Sequence, residues 1–432
     1  MNELSHRLLT PPSEREPVAR PRMTRGGIYG ALDVGTTKVA CLIGRAESDQ
    51  TLRVLGFGWQ RGQGVRGGGI TDIEAAERAI RAAVAQAEDM ADHHLSRITV
   101  NLSCGQPQSR LFHVQWPIGG RAVPAHDVRQ IAREGQSRAR AEGREVIHCM
   151  PIDFSADETE GARDPTGLHC DQLTARLHLL DAAQGPLRNL EAAIGRTELS
   201  IADHVSAPYA AGLATLVEDE RELGATVIDM GGGTTSLAVF SEGHLLHTAQ
   251  LPVGGVRVTA DLAQGLSTSL ANAERLKTLY GNLQSSPDDD LEMLPVPLVG
   301  EEDHQYQRVP RSMLVGIIKP RLEEIFELLR DRLEHAGLGP AADGRVVLTG
   351  GASQLIGVRE LAARILNRQV RLGRPLGIRG LPEAATGPSF ATATGLLAYA
   401  AGDGRSLVHL ENDPKSSPGV LDRILSFLRL HS

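Results

Sequence analysis

The chain has 432 residues, and only 3% of them are aromatic. So few rings argue against a surface that stacks on single-stranded bases. A net charge of −8 gives no electrostatic footprint for nucleic acid either. Cysteine is scarce: Cys41, Cys104, Cys149 and Cys170, with no C-x-x-C pair among them. That spacing excludes a disulfide framework and a zinc pattern. His148 beside Cys149, and His169 beside Cys170, read as ordinary positions of a reduced protein. No apolar run reaches the length of a membrane-spanning helix. The start of the chain has no apolar core of a secretory signal; residues 1–27, rich in Arg, Pro, Ser and Glu, read as a disordered tail. Any membrane contact is therefore expected to be peripheral.

The hydrophobic fraction, 41%, is ample for a core, and the length calls for two or more lobes. An internal repeat organises them. The apolar strand 28–33 ends in Asp33, turns through Val34-Gly35-Thr36-Thr37, continues as strand 38–44 and is followed by a strand near 52–59. Far downstream, strand 225–229 ends in Asp229, turns through Met230-Gly231-Gly232-Gly233-Thr234-Thr235, and is followed by strands 236–240 and 244–251. Each copy is a three-stranded meander. A second pair of matching segments, 98–105 and 345–352, are strands running into small-residue turns, each preceded by a helix. The first helix is capped by Asp72 and carries Ile73, Ala76, Ile80, Val84 and Ala87 on one face; the second spans 317–333 with Ile318, Leu322, Ile325 and Leu329 as its stripe. The chain thus reads as two related α/β lobes.

Between the repeats lies an insert, 109–184, read as strand 111–114, helix 124–142, and strands 146–152 and 172–180. The first lobe then covers 28–108 and 185–222, with 373–402 closing it. The second covers 223–258 and 310–372 around a small subdomain at 259–309. A polar stretch, 403–418, reads as a flexible linker to a last segment, 419–432.

The two hairpins carry the chemistry. Consecutive glycines let backbone N–H groups approach an anion with no Cβ between, and threonine hydroxyls add donors. Gly35, Thr36, Thr37 and Lys38 form one such set; Gly231, Gly232, Gly233, Thr234 and Thr235 form the other. Asp33 and Asp229, each at a strand end, could hold a magnesium ion through its water shell. Two hairpins, one per lobe, could clamp a polyphosphate from opposite sides.

This arrangement resembles the superfamily of actin, sugar kinases and heat-shock chaperones, whose cores are duplicated ribonuclease-H-like units. The resemblance assigns the two hairpins to phosphate, Gly350, Gly351 and Ala352 to adenosine, and Glu274 and Lys277 to ribose and base. Within the superfamily the chain resembles the FtsA family from Ile28 to Leu430, through stretches such as Glu218–Gly224, Leu251–Gly255, Ala273–Lys277 and Lys319–Glu324. The insert stands where that family carries an SHS2-like subdomain. The resemblance implies ATP and Mg2+ as ligands. It also implies FtsZ as partner, through its C-terminal tail, at Arg311, Arg321 and Glu324 beside a helix opening at Lys319-Pro320-Arg321. Head-to-tail self-polymerisation, contact with other divisome membrane proteins, and a place on the cytoplasmic face of the inner membrane at the septum belong to the same expectation.

The last segment supports this on its own residues. At about 100° per residue, Val420, Leu421, Ile424, Leu425, Phe427 and Leu428 fall on one arc, with Arg423, Arg429, Asp422 and Ser426 opposite. An amphipathic helix of basic bias suits an anionic membrane surface. Hydrolysis, by contrast, is expected to be slow at most. Where chaperone relatives have an acid to position water, this chain has Ala207. A pilus-type adaptor and a small-molecule kinase are the rival readings; neither calls for a lipid-binding tail.

Overall fold

The computed structural model describes residues 27–47, 51–284, 286–300 and 306–403. The tail 1–26, most of the linker and the segment 419–432 lie outside the described residues, and with them the six apolar positions from Val420 to Leu428.

Strands β1 (Ile28–Val34), β2 (Lys38–Ala46) and β3 (Leu52–Arg61) form the first meander, followed by a small hairpin, β4 (Val65–Arg66) and β5 (Gly69–Ile70). Helix α1 (Ile73–Ala91) is capped by the Asp72 carboxylate, which accepts from the Ala75 N–H at 3.0 Å. Its buried stripe runs Ala76, Ile80, Ala83, Val84 and Ala87, as the 3.6-residue period requires. The chain continues through β6 (Arg97–Leu102) into the insert: β7 (Gln108–Pro117), α2 (Ala125–Arg138), β8 (Arg144–Ala156), β9 (Thr159–Ala162) and β10 (Gln172–Ala183). It returns by α3 (Gln184–Gly195), β11 (Ser200–Ser206), α4 (Ala207–Thr215) and α5 (Glu218–Leu223). The second meander is β12 (Ala225–Met230), β13 (Thr235–Ser241) and β14 (His244–Leu251). Then follow α6 (Gly255–Gly265), α7 (Leu270–Tyr280), the ribbon of β15 (Met293–Pro297) and β16 (Tyr306–Pro310), and α8 (Arg311–His335). The chain ends with β17 (Arg345–Thr349), α9 (Val358–Leu366), β18 (Val370–Leu372), β19 (Ile378–Arg379) and α10 (Ala391–Ala398).

The duplication is a duplication of topology. One sheet has the order β3-β2-β1-β6-β11, the other β14-β13-β12-β17-β18. In both, the meander is antiparallel and the added strands are parallel. The first sheet carries one further strand, β19, parallel to β3 at its outer edge. Such parallel strands are covered on both faces and so read as near-continuous apolar runs.

Between the two sheets lie α4 and α10. Every residue of α4 is buried, and α10 is buried from Ala391 to Leu397. A helix apolar all round belongs inside a protein. The two cross so closely that a Cβ on Gly395 would stand 1.7 Å from the Ala210 carbonyl oxygen. Glycine is the only residue that fits this crossing. Tyr209, Phe240 and Tyr399 fill the space around it.

The insert is a four-stranded sheet, β7-β10-β8-β9, with α2 on one face, its Val128 and Ile131 clustered with Val114, Cys149, Phe154, Leu173 and Leu177. At its base the buried Asp181 carboxylate takes Arg110 at 2.8 Å and Arg144 at 2.5 Å. The Ser109 hydroxyl lies 2.8 Å from His178 Nε2 and accepts from the backbone N–H of Thr248 on β14. The insert therefore rests on the second lobe's edge strand as well as on the first lobe.

Three sequence expectations are corrected. The insert helix ends at Arg138 rather than 142, and a polar strand, β9, was not anticipated. Helix α8 begins at Arg311, six residues before the expected start, so Lys319-Pro320-Arg321 does not open a helix but lies within one. Pro320 is exposed, and so is Gly316, whose carbonyl loses its helical partner and can turn to water. The four cysteines are buried and form no disulfide. His148 Nε2 accepts from the Ser206 N–H, and no cluster of three metal-ligating side chains exists among the described residues.

Candidate nucleotide-binding cleft

The two meanders deliver matched turns. Gly35 N–H donates to the Lys38 carbonyl and Gly231 N–H to the Thr234 carbonyl, both at 2.9 Å. The third strand of each lobe exits across the turn in the same way. A Cβ on Gly62 would lie 2.6 Å from the Gly35 oxygen, and one on Gly254 would lie 2.5 Å from the Gly231 oxygen. The tips meet across the lobes: a Cβ on Gly232 would stand 2.6 Å from Thr37 Cγ2, and one on Gly233 would stand 2.2 Å from Thr36 Oγ1. Side chains are excluded there, so backbone donors are what the turns present.

Around them opens a cleft of about 520 Å³. Its lining takes in Asp33, Gly35, Thr36, Thr37, Lys38, Asp229, Gly231, Gly232, Gly233 and Thr234, together with Glu274, Lys277, Gly350, Gly351 and Ala352. Residues named from four separate stretches of sequence thus share one cavity. Thr235 does not: it is fully buried and its hydroxyl donates to the Val253 carbonyl at 2.8 Å, which fixes the turn rather than the cleft wall.

The charges in the cleft are close and dry. Burial raises Asp33, against the opposing pull of Lys38. Burial lowers Lys38, against the carboxylates of Asp33 and Asp229. Asp229 is pushed up to about 6 by burial, although the Thr392 hydroxyl donates to its Oδ2 at 2.9 Å. The Lys38 ammonium is 3.8 Å from Asp33, donates to the Ser389 carbonyl, and lies over the Phe390 ring. On the opposite wall, Lys277 Nζ bonds Glu274 at 2.7 Å, Thr259 at 2.8 Å and the Gly255 carbonyl at 3.1 Å. Gly350, at φ +85°, brings its backbone against Asp229: a Cβ there would lie 2.4 Å from Oδ1.

Sequence reading missed Asn101, Ser103, Ser389 and Thr392 in the lining. Asn101 carried a signal, since it closes the strand that matches Arg345–Thr349; its side-chain oxygen accepts from Val34 N–H at 2.7 Å. Ser389 and Thr392 carried none.

Arg311, Arg321 and Glu324 lie away from the cleft on α8, and each is engaged. Arg311 pairs with Glu292 at 2.7 Å and Asp289 at 3.4 Å, anchoring the first turn. Arg321 pairs with Asp261 at 2.5 Å and with Glu324 itself.

Two sheets of one topology, each offering a glycine turn and an aspartate to a shared cleft, define a protein of the actin-like ATPase fold. Solved structures agree. The PilM–PilN type IV pilus biogenesis complex superposes with a TM-score of 0.62 at 18% identity, covering 88% of this chain and 99% of that one. MreB5 of Spiroplasma citri bound to ADP does so with 0.52 at 13% identity, covering 86% and 95%. The chain belongs to the FtsA family of cell-division proteins. It is 44% identical over 386 residues to the cell division protein FtsA of Rhizobium meliloti, covering 87% of each chain. It is 34% identical over 380 residues to that of Escherichia coli, covering 85% of this chain and 89% of the relative. The family model for cell division protein FtsA matches residues 226–395, and that for the SHS2 domain inserted in FtsA matches residues 104–180.

Proposed function

We propose that the chain binds ATP with Mg2+ in the cleft and, in that form, ties FtsZ filaments to the inner face of the cytoplasmic membrane at the septum. The observation that carries the nucleotide half is the contact between the two glycine turns, which closes donors from both lobes around one cavity. The donor set fits the ligand. The turns at Gly35–Thr37 and Gly231–Thr234 would take the phosphates, with Lys38 as the opposing charge, and Glu274, Lys277 and Gly350–Ala352 would take the adenosine. Asp33 and Asp229 would hold Mg2+ through water, an economical shell that suits an ion preferring to share its coordination with phosphate oxygens. A bound Mg2+ would neutralise phosphate charge. MreB5, of the same fold, has been solved with ADP.

Hydrolysis is expected to be slow. Ala207, at the start of α4, lines the cleft and has no oxygen with which to orient a water. A slow turnover suits a protein that assembles and holds, and head-to-tail self-association fits that role.

The membrane half rests on the pattern of 419–432. Six large apolar residues on one face, each contributing up to about 1.5–3 kcal/mol when fully buried, would seat the helix in the interface. Among the described residues no helix is long and apolar enough to cross a membrane. The FtsZ tail is assigned to the face of α8 that carries Arg311, Arg321 and Glu324. The ion pairs already made there would have to exchange for, or hold their place beside, the incoming peptide. Other divisome membrane proteins would be recruited to the same assembly.

The test is co-sedimentation with anionic vesicles, ATP and FtsZ filaments, comparing the full chain with one ending at Pro418. The expected result is FtsZ in the pellet with the full chain only. Equal pelleting by both chains refutes the terminal helix as anchor. Vesicle binding that leaves FtsZ in solution refutes the partner.

A further inference from the structure

Five consecutive residues, Pro388–Thr392, hold the charged and turning groups of the cleft in place. The Pro388 carbonyl accepts from the Gly350 N–H and from the Thr349 hydroxyl, each at 3.2 Å. The Ser389 carbonyl accepts from Lys38. Thr392 donates to Asp229. Between them the Phe390 ring lies 3.7 Å, centroid to Nζ, beneath the Lys38 ammonium. That ring is only 7% exposed and is braced edge-on by Phe57 at 5.4 Å between centroids.

A lysine ammonium sits on a flexible four-carbon stem and has no preferred place of its own. A ring face fixes it without using a directed hydrogen bond, because the attraction is between the charge and the ring quadrupole. Of the three donors on Lys38, Ser389 takes one, and the Asp33 carboxylate, 3.8 Å away, holds the ammonium only loosely. The remainder can serve an anion on the glycine turns. Phe57, which braces the ring, belongs to β3, so the support comes from the same meander that presents Lys38.

We propose that Phe390 is a positioning residue of the phosphate site: its ring face holds the Lys38 ammonium in the orientation that complements a polyphosphate on the two glycine turns. This rests on the nucleotide reading given above. Its consequence is that part of the affinity for ATP lies in a side chain that offers no hydrogen bond to the ligand and comes from the far end of the chain.

A double-substitution cycle on the full-length protein tests it, with ATP affinity measured by calorimetry for the unsubstituted chain, Phe390→Leu, Lys38→Ala and the pair. Phe390→Leu is expected to weaken ATP binding about three- to tenfold. In the Lys38→Ala background the same change is expected to cost nothing further. Losses that multiply independently would show the ring to be core packing alone and would overturn the proposal. Incorporating singly to multiply fluorinated phenylalanine at 390 keeps the shape while draining the ring face, so it serves even where Phe390→Leu does not fold. Affinity falling with each fluorine supports the proposal, and a flat series overturns it. An unsubstituted chain that binds no ATP refutes the nucleotide reading itself.

Discussion

Replacing Asp229 by Asn should move stability and ligand response in opposite directions. The carboxylate has an ordinary value of 3.8 and is raised to about 6, with burial as the largest cause and Asp33 adding to it. A raised acid is one whose ionised form the fold disfavours. Its cost is felt in full above about pH 6 and is relieved as pH falls toward 3.8, where the unfolded chain also takes up the proton. Two pH units correspond to about 3 kcal/mol. Asp229 keeps some exposure to the cleft, and the asparagine amide must find a partner of its own, so about 1–2 kcal/mol is the expected gain. The Thr392 donor is retained, because the asparagine oxygen can accept it. Chemical denaturation of the ligand-free protein at pH 7.5 should therefore show Asp229→Asn as the more stable chain, with the advantage shrinking to nothing near pH 4. In the same variant Mg2+ should no longer tighten ATP binding. An Asn variant less stable than its parent at pH 7.5 would mean that the ionised carboxylate is a net structural asset, and the account of the cleft's charges would be wrong.

Two further outcomes are expected. Arg371 grips Glu220 with two of its nitrogens and reaches the Thr215 carbonyl at 2.7 Å, holding α5 and the end of α4 to β18. Arg371→Lys cannot reproduce the fork and should cost about 1–2 kcal/mol in urea denaturation. The Arg371 hydrogen bond depresses Glu220, so this contribution is present above about pH 4.5 and is lost as pH falls through the lower folded value; a deficit that persisted unchanged in acid would contradict it. Burial holds His178 neutral, down to about 3, and lowers His247 to about 4. The unfolded chain protonates both near 6.5, so stability should fall between pH 6.5 and 4 by about 1.4 kcal/mol per pH unit for each. His178→Gln should flatten that slope by one proton, as read from denaturation midpoints across the range.

What was legible in the sequence was what repeats locally. The meanders announced themselves because each pairs buried apolar strands through an Asp-x-Gly turn, and a turn is a local decision. The α1 cap and stripe were legible for the same reason. The missed features depend on distant partners. Nothing near Thr392 reveals that its hydroxyl meets an aspartate 163 residues earlier. Thr235 looked like a phosphate donor beside Thr234, but strand alternation turns it inward to Val253. The expected helix at 317–333 already ran through Pro320, but the first turns of α8, from Arg311, lie beyond the stripe Ile318–Leu329 on which it was read. Its stripe in fact already includes Leu314, Val315 and Ile318.

The position of α10 has a consequence for how the chain is made. Lobe 1 begins with the first described strand, yet it lacks its edge strand β19 and its helix α10 until residues 378–398 have been synthesised. By then the insert and the whole of lobe 2 have already emerged and can fold as units. During that interval α4, apolar on every side, has no α10 to cover it. A ribosome that stalled before residue 391 would release a product with a finished second lobe and a bare helix at its waist, a natural client for chaperones and proteases. On the reading proposed here, the nucleotide cleft, where Thr392 meets Asp229 and Phe390 lies under Lys38, would thus be among the last features a nascent chain completes.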